Sequence, residues 1–167
     1  MKGLENKRVV ITAAATGIGR ATAETFLAAG AKLHICDVDS DGLAAFKAAY
    51  PAIGTTVADV AAEDHVDRLF KEAMETFGGL DVLVNNAGIA GPTANLEDCT
   101  PEDWRRTLAV NLDGAYLCTR RAIPIMKKAQ SGSIVNLSSS AGIFGFARRT
   151  PYASAKWAIV GLTKSLA

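Results

Sequence analysis

The sequence is poor in the residues that staple a small fold or hold a metal. Its three cysteines, Cys36, Cys99 and Cys118, are scattered, odd in number and never spaced as Cys-x-x-Cys. Its two histidines, His34 and His65, lie far apart. Neither a disulfide framework nor a zinc site follows from that pattern, which suits a reducing, cytoplasmic setting. The cysteines are expected to serve as small buried hydrophobes, and the histidines as structural or surface residues. Charge of one sign is lacking too. A net charge of +1, with acids and bases interspersed, creates no field to draw nucleic acid or an anionic membrane, so the expected partner is a small solute. No apolar run is long enough for a membrane span. The start, Met1 to Gly19, carries basic residues, a short "VVI" and small residues. The apolar run is too short for a signal-peptide core and Glu5 interrupts the basic stretch, so no targeting segment is read there. No linker, charge block, low-complexity tract or short-period repeat divides the chain.

What is present is 167 residues, 49% hydrophobic and 21% charged, enough to bury a core as one domain over residues 1–167. Short runs rich in valine and isoleucine occur at Arg8 to Thr12, Lys32 to Asp37, Ile53 to Asp59, Asp81 to Asn86 and Ser133 to Ser138. Runs this apolar suit strands buried on both faces of a parallel sheet. Segments of helical period fall between them. From Asp64 to Gly79, Val66, Leu69, Phe70, Ala73, Met74 and Phe77 form one stripe, and Gly78 and Gly79 are placed to end the helix. Further helices are expected from about Ile18 to Ala29, Asp41 to Tyr50, Pro101 to Lys128 and Tyr152 to Ala167, with Thr100 as N-cap and Pro101 at the first helical position. Alternating strand and helix predicts an α/β fold, a Rossmann-like doubly wound parallel sheet flanked by helices.

The first strand leads into "TAAATGIGRA", where Gly17 and Gly19 open the next helix. Free amides at a helix start and the macrodipole favour an anion, and glycines let a pyrophosphate approach, so a dinucleotide is the natural occupant. Asp37 ends the second strand 20 residues beyond Gly17. A carboxylate there can accept from an adenosine ribose and repel a 2′-phosphate, favouring NAD over NADP. The competing reading is that Asp37 caps the turn through "DVDSD".

At the other end, Tyr152 lies four residues before Lys156, on one face of a helix. A phenol, which releases its proton near about pH 10 in water, is a poor base at neutrality. A cation one turn away favours phenolate by direct Coulomb attraction, which suits proton exchange with a carbinol losing hydride. Ser139 can donate to the substrate oxygen and orient it. Asn111 falls on the stripe of Trp104, Leu108, Ala115 and Thr119, so its amide should be buried and in need of partners. The bland readings are snorkelling for Tyr152 and Lys156, a turn lining for the serines and a structural amide for Asn111.

Taken in order, these motifs resemble the short-chain dehydrogenase/reductase family from end to end. Thr12 to Gly19 is similar to its Thr-Gly-x-x-x-Gly-x-Gly turn, and the resemblance assigns Thr12, Ala13, Gly17, Ile18 and Gly19 to the cofactor. Asp59 and Val60 resemble its adenine-contacting pair, and "NNAG" at Asn85 to Gly88, with Asn86, Ala87 and Gly88 at the cofactor, its fourth-strand signature. Asn111, Ser139, Tyr152 and Lys156 resemble the catalytic tetrad, Ser139 being chosen because it precedes the tyrosine by the family's 13 residues. Tyr152 and Lys156 would also touch the cofactor, and Asn111 would hold a relay water leading towards Lys156. Ala13 departs from the motif's first glycine; in an allowed backbone region an alanine needs little adjustment, so cofactor binding is expected to persist. Thr16 lacks the basic side chain of NADP-preferring relatives.

The resemblance implies an NAD-dependent, NAD-preferring enzyme interconverting a secondary alcohol and a ketone, without metal. The alternatives are a non-catalytic dinucleotide-binding or interaction module, and an epimerase or dehydratase that returns the hydride. In the family the sheet continues past the catalytic helix, so a C-terminally truncated form lacking the last strands and substrate lobe is expected, with the fifth strand as an open edge. A homodimer or homotetramer through helices around Leu112 to Met126 and Tyr152 to Ala167 is also expected. In "GIFGFARRT", Phe144 and Phe146 stand beside Arg148 and Arg149. The arginines are expected as a solvated surface pair.

Overall fold

The structure is a computed structural model and describes residues 3–167; Met1 and Lys2 of the leader reading lie outside the described residues. Five strands, β1 (Arg8–Thr12), β2 (Lys32–Asp37), β3 (Gly54–Val57), β4 (Val82–Asn85) and β5 (Ser133–Asn136), alternate with six helices. These are α1 (Gly17–Ala28), α2 (Ser40–Ala49), α3 (Glu63–Phe77), α4 (Pro101–Leu108), α5 (Gly114–Ala129) and α6 (Thr150–Leu166). The strands form one parallel sheet in the order β3-β2-β1-β4-β5, the doubly wound architecture expected.

β1 lies at the centre, and Val9, Val10 and Ile11 are fully buried. Because successive side chains of a strand point to opposite faces, Val9 and Ile11 pack with Ala23 of α1 and Leu43 and Phe46 of α2. Val10 faces the other way, among Val66 and Leu69 of α3 and Cys118 and Ala122 of α5. Each such side chain contributes roughly 1.5–3 kcal/mol by leaving water, which is why an unbroken apolar run can serve here where an alternating one would leave a face bare. The α3 stripe behaves as expected, and Gly78 ends the helix at φ 67°, a left-handed cap. Thr100 caps α4 in a capping box with Asp103.

The helix expected over Pro101 to Lys128 is not one α-helix. Between α4 and α5, residues Ala109–Asp113 form a π-helical turn. Asn111 Nδ2 donates to Thr107 O, the carbonyl four residues back, and a side chain that competes in this way widens the backbone ladder. β1 and β2 fill their apolar runs, while β3, β4 and β5 stop short of theirs: Leu137 and Ser138 lie beyond β5 and hydrogen-bond to Lys156 of α6. β5 is the edge of the sheet among the described residues, and its Val135 is 44% exposed.

The chain runs outward from β1 to β3, then crosses to β4 and β5 on the other side. This reversal opens a crevice at the C-terminal ends of β1 and β4, where ligands of doubly wound sheets bind. At the opposite end Arg8 clamps the register of these strands: its Nε and Nη2 donate to Asp81 at 2.7 and 3.0 Å, and the guanidinium holds the Asp81 carboxyl down at about 2.

Candidate active site

Two clefts meet at the crevice. The smaller, about 170 Å3, is lined by Ala13, Asp37, Asp59, Val60, Ala87 and Arg106 among others. The larger, about 420 Å3, has Ser139, Tyr152, Lys156 and Asn111 in its wall, with Ile18 and Asn86 at the side of the glycine turn. Gly88 and Ile89 belong to both. The structure therefore gathers almost every candidate residue into one continuous groove.

Thr12, Gly17 and Gly19 line neither cleft; Thr12 is buried and its Oγ1 accepts from the amides of Asn86 and Ala87, each at 3.0 Å. It braces β1 to the loop after β4. Asn86 returns the tie: its Nδ2 donates to Thr12 O and Ala13 O at 2.9 and 2.8 Å. The glycines divide their work differently from the expectation. Gly17 has φ 56° and open space around it, so it makes the turn and leaves the helix start clear. A Cβ on Gly19 would sit 2.1 Å from Ala13 O and 2.6 Å from Asn86 Nδ2, so Gly19 is required for the turn to close on α1. Ala13 has φ 51°. The premise that its backbone lies in a region easy for alanine is thus corrected: it carries left-handed strain of about 1–2 kcal/mol that glycine would not.

The helix start suits an anion. Thr16 makes no side-chain cap bond and the first turn of α1 holds no acid, so its leading amides are left for a phosphate. Asp37 caps the turn, as the competing reading had it, Oδ2 accepting from Ala15 N at 3.0 Å and Oδ1 from Asp39 N at 3.2 Å, and it also lines the smaller cleft. Asp59 accepts from Ala61 N at 2.9 Å and pairs with Arg106 at 2.9 Å, so this arginine is engaged within the cleft. A carboxylate keeps further lone pairs for hydroxyl or amine donors. The groove therefore fits a dinucleotide by shape and donor set.

In the larger cleft the three serines take separate tasks. Ser138 Oγ donates to Lys156 O at 2.8 Å, locking the end of β5 to α6. Ser139 Oγ accepts from Ala141 N at 3.1 Å, which anchors the oxygen and leaves its proton free to donate. Ser140 begins a short 3-10 turn. Lys156 is 4% exposed, and burial lowers its pKa from the usual lysine value. Its Nζ donates to Leu137 O at 2.8 Å and lies 5.6 Å from the centroid of the Tyr152 ring, inside cation–π range. Asn111 is 1% exposed; Nδ2 donates to Ile89 O and Thr107 O, each at 2.9 Å, while Oδ1 has no hydrogen-bond partner. A buried amide oxygen left unmatched is uncommon. A Cβ on Gly88 would lie 2.7 Å from that oxygen and 3.5 Å from Lys156 Nζ, so glycine leaves the two polar groups facing one small space.

Arg149 corrects the expectation of a solvated pair. Arg148 is exposed, but Arg149 turns into the larger cleft, where Nη1 donates to Ala90 O and Gly91 O at 3.0 and 3.1 Å. The sequence reading gave Ser138 and Asn85 no role of their own. The latter is buried and its Nδ2 donates to Asn136 Oδ1 at 2.8 Å and Thr119 Oγ1 at 3.1 Å. A polar residue inside an otherwise apolar β4 was the available signal. Two of the three cysteines behave as expected: Cys36 and Cys118 are buried free thiols, and desolvation pushes the Cys36 pKa up to about 12, whereas Cys99 after the short turn Leu96–Asp98 is only half-buried. No cluster of metal-ligating side chains occurs among the described residues, and no helix there is long and apolar enough to cross a membrane.

A 3-2-1-4-5 parallel sheet with a glycine turn after β1 and a Ser, Tyr and Lys cleft beyond β4 and β5 defines a dinucleotide-binding oxidoreductase fold. Residues 7–167 match the short chain dehydrogenase family profile, and the chain belongs to that family. It is 40% identical to levodione reductase of Leifsonia aquatica, over 95% of this chain and 62% of that protein. It is 41% identical to trans-4-hydroxycyclohexanecarboxylate dehydrogenase of Sinomonas cyclohexanicum, over 96% and 65%. The crystal structure of 3-ketoacyl-(acyl-carrier-protein) reductase from Brucella melitensis complexed with NADH superposes with a TM-score of 0.94 at 36% identity, over 99% of this chain and 70% of that one. The chain thus spans just under two thirds of the length of these two relatives.

Proposed function

We propose that this oxidoreductase interconverts a secondary alcohol and a ketone with NAD, Tyr152 serving as acid and base. The observation that carries the reading is the meeting of Ser139, Tyr152, Lys156 and the unmatched Asn111 oxygen around one cleft beside the glycine turn. Bound nicotinamide supplies the hydride acceptor or donor. Ser139, its oxygen already anchored, donates its free proton to the substrate oxygen and holds it beside Tyr152. In the oxidative direction the carbinol O–H bond breaks and its proton passes to the Tyr152 oxygen as the carbinol C–H bond gives up hydride; reduction returns the proton from Tyr152. Lys156 offers positive charge to the developing negative charge on that oxygen. Asn111 Oδ1 and Lys156 Nζ, facing across Gly88, suit a bridging water that carries the proton onward.

NAD is preferred over NADP in this reading, because Asp37 lines the smaller cleft, where its carboxylate would meet an adenosine ribose and repel a 2′-phosphate, and Arg106 is already paired with Asp59. A cytoplasmic enzyme agrees with free, buried thiols. A homodimer or homotetramer agrees with Tyr116 of α5 and Trp157 of α6, which are 49% and 50% exposed. The deciding experiment is Tyr152→Phe, followed by NADH absorbance over a panel of alcohols and ketones. Turnover falls at least about a hundredfold while calorimetric NAD binding persists; normal turnover in this variant would refute the mechanism.

A further inference from the structure

The larger cleft is unevenly charged. Among the described residues its lining holds two cations, Lys156 and Arg149, and no aspartate or glutamate. Lys156 is buried and committed to Leu137 O and the Tyr152 ring. Arg149 is in a different state. It forms no ion pair among the described residues, and its side-chain hydrogen bonds there all run from Nη1 to the carbonyls of Ala90 and Gly91. A guanidinium has five N–H donors in a rigid fork, so Nε and Nη2 keep theirs with the positive charge uncompensated. The fork is also held in place. Arg148, at φ 61°, accepts from Ala94 N at 3.0 Å, and Arg149 O accepts from Ala153 N at 2.9 Å. The backbone is thereby fixed on both sides, three residues before Tyr152.

We propose that Arg149 is a specificity residue that recognises a carboxylate on the substrate. The favoured substrate is an oxo acid or hydroxy acid whose carboxylate meets Arg149 while its carbonyl or carbinol group lies between Ser139 and Tyr152. Ile89, Ala90 and Phe146 border the same cleft and accept an apolar body between the two groups. A carboxylate here trades hydration for charge-assisted bonds to a fork already immobilised on two carbonyls, so little side-chain freedom is lost on binding. A neutral substrate leaves the guanidinium unneutralised. The proposal rests on the alcohol and ketone reading of the same cleft.

The test titrates the full chain with NADH present, using oxo acids of increasing length, 4-acetylbenzoate among them, each against its primary amide. Binding is read by calorimetry and turnover by NADH oxidation. At least one acid binds about ten- to hundredfold more tightly than its amide, the range expected of hydrogen bonds to a charged group. In Arg149→Leu that preference collapses, and Arg149→Lys restores part of it. A merely structural arginine would weaken acid and amide alike. No acid preference in the unaltered protein, or one that survives Arg149→Leu, overturns the proposal. Acid preference without NADH oxidation by any pair supports the anion site and removes the alcohol and ketone chemistry. Amides reduced as readily as acids remove the site and leave that chemistry standing.

Discussion

Replacing Ala13 by glycine will stabilise the protein, against the usual effect of adding glycine. Ala13 sits at φ 51°, where the Cβ of an L-residue crowds its own carbonyl at a cost of about 1–2 kcal/mol. The turn cannot swing away from that angle. Ala14 N donates to Cys36 O at 3.1 Å, Ala15 N to Asp37 Oδ2 at 3.0 Å, and Ala13 O accepts from Asn86 Nδ2 at 2.8 Å. Glycine removes the strain but gives the unfolded chain more freedom, which takes back about 0.4–1 kcal/mol. At the midpoints of those two ranges the net gain is about 0.8 kcal/mol, or a rise in Tm of about 2–3 °C for a chain of this length. Urea denaturation of both proteins at matched pH, read by circular dichroism with the slope unchanged, measures it. An equal or lower midpoint for Ala13→Gly would mean that the left-handed angle carries no strain and that the account of this turn is wrong.

Gly19→Ala is expected to act in the opposite direction: its Cβ meets a backbone oxygen at 2.1 Å, so the turn must open, at about 2–3 kcal/mol, and NAD affinity must fall with it. A variant with unaltered affinity and midpoint would exclude that closure. His34 supplies a pH dependence. It is 2% exposed, Nε2 bonds Thr56 Oγ1 at 2.8 Å and Nδ1 has no partner. Burial, outweighing the pull of Glu72 and aided by Lys47, lowers its pKa from 6.5 to about 4. The folded state thus binds the proton less readily than the unfolded one, so stability is complete above about pH 6.5 and declines as pH falls towards about 4, by up to about 3 kcal/mol. Unfolding midpoints at neutral and mildly acid pH measure the decline, and His34→Gln should flatten it; an equally steep profile in that variant would assign the loss to other groups.

Sequence alone was enough for the order of elements and for naming the candidate site residues, because both are read from local pattern. Unbroken Val and Ile runs announce strands covered on both faces, the Val66 to Phe77 stripe announces α3, and a Gly17, Asp37, Ser139, Tyr152 and Lys156 succession has spacings that chance rarely supplies. What spacing does not contain is how one segment leans on another. The left-handed angle at Ala13, the contact that makes Gly19 necessary and the inward turn of Arg149 all depend on hydrogen bonds between residues far apart in the chain, and such a bond also ties the Asn111 turn to the loop after β4. Asn86 reaches across to Ala13, Asn111 to Ile89, and Arg149 to Ala90 and Gly91. Only the packed strand order brings those partners together, since a local pattern records which face a residue prefers and the tertiary structure alone decides what stands opposite it.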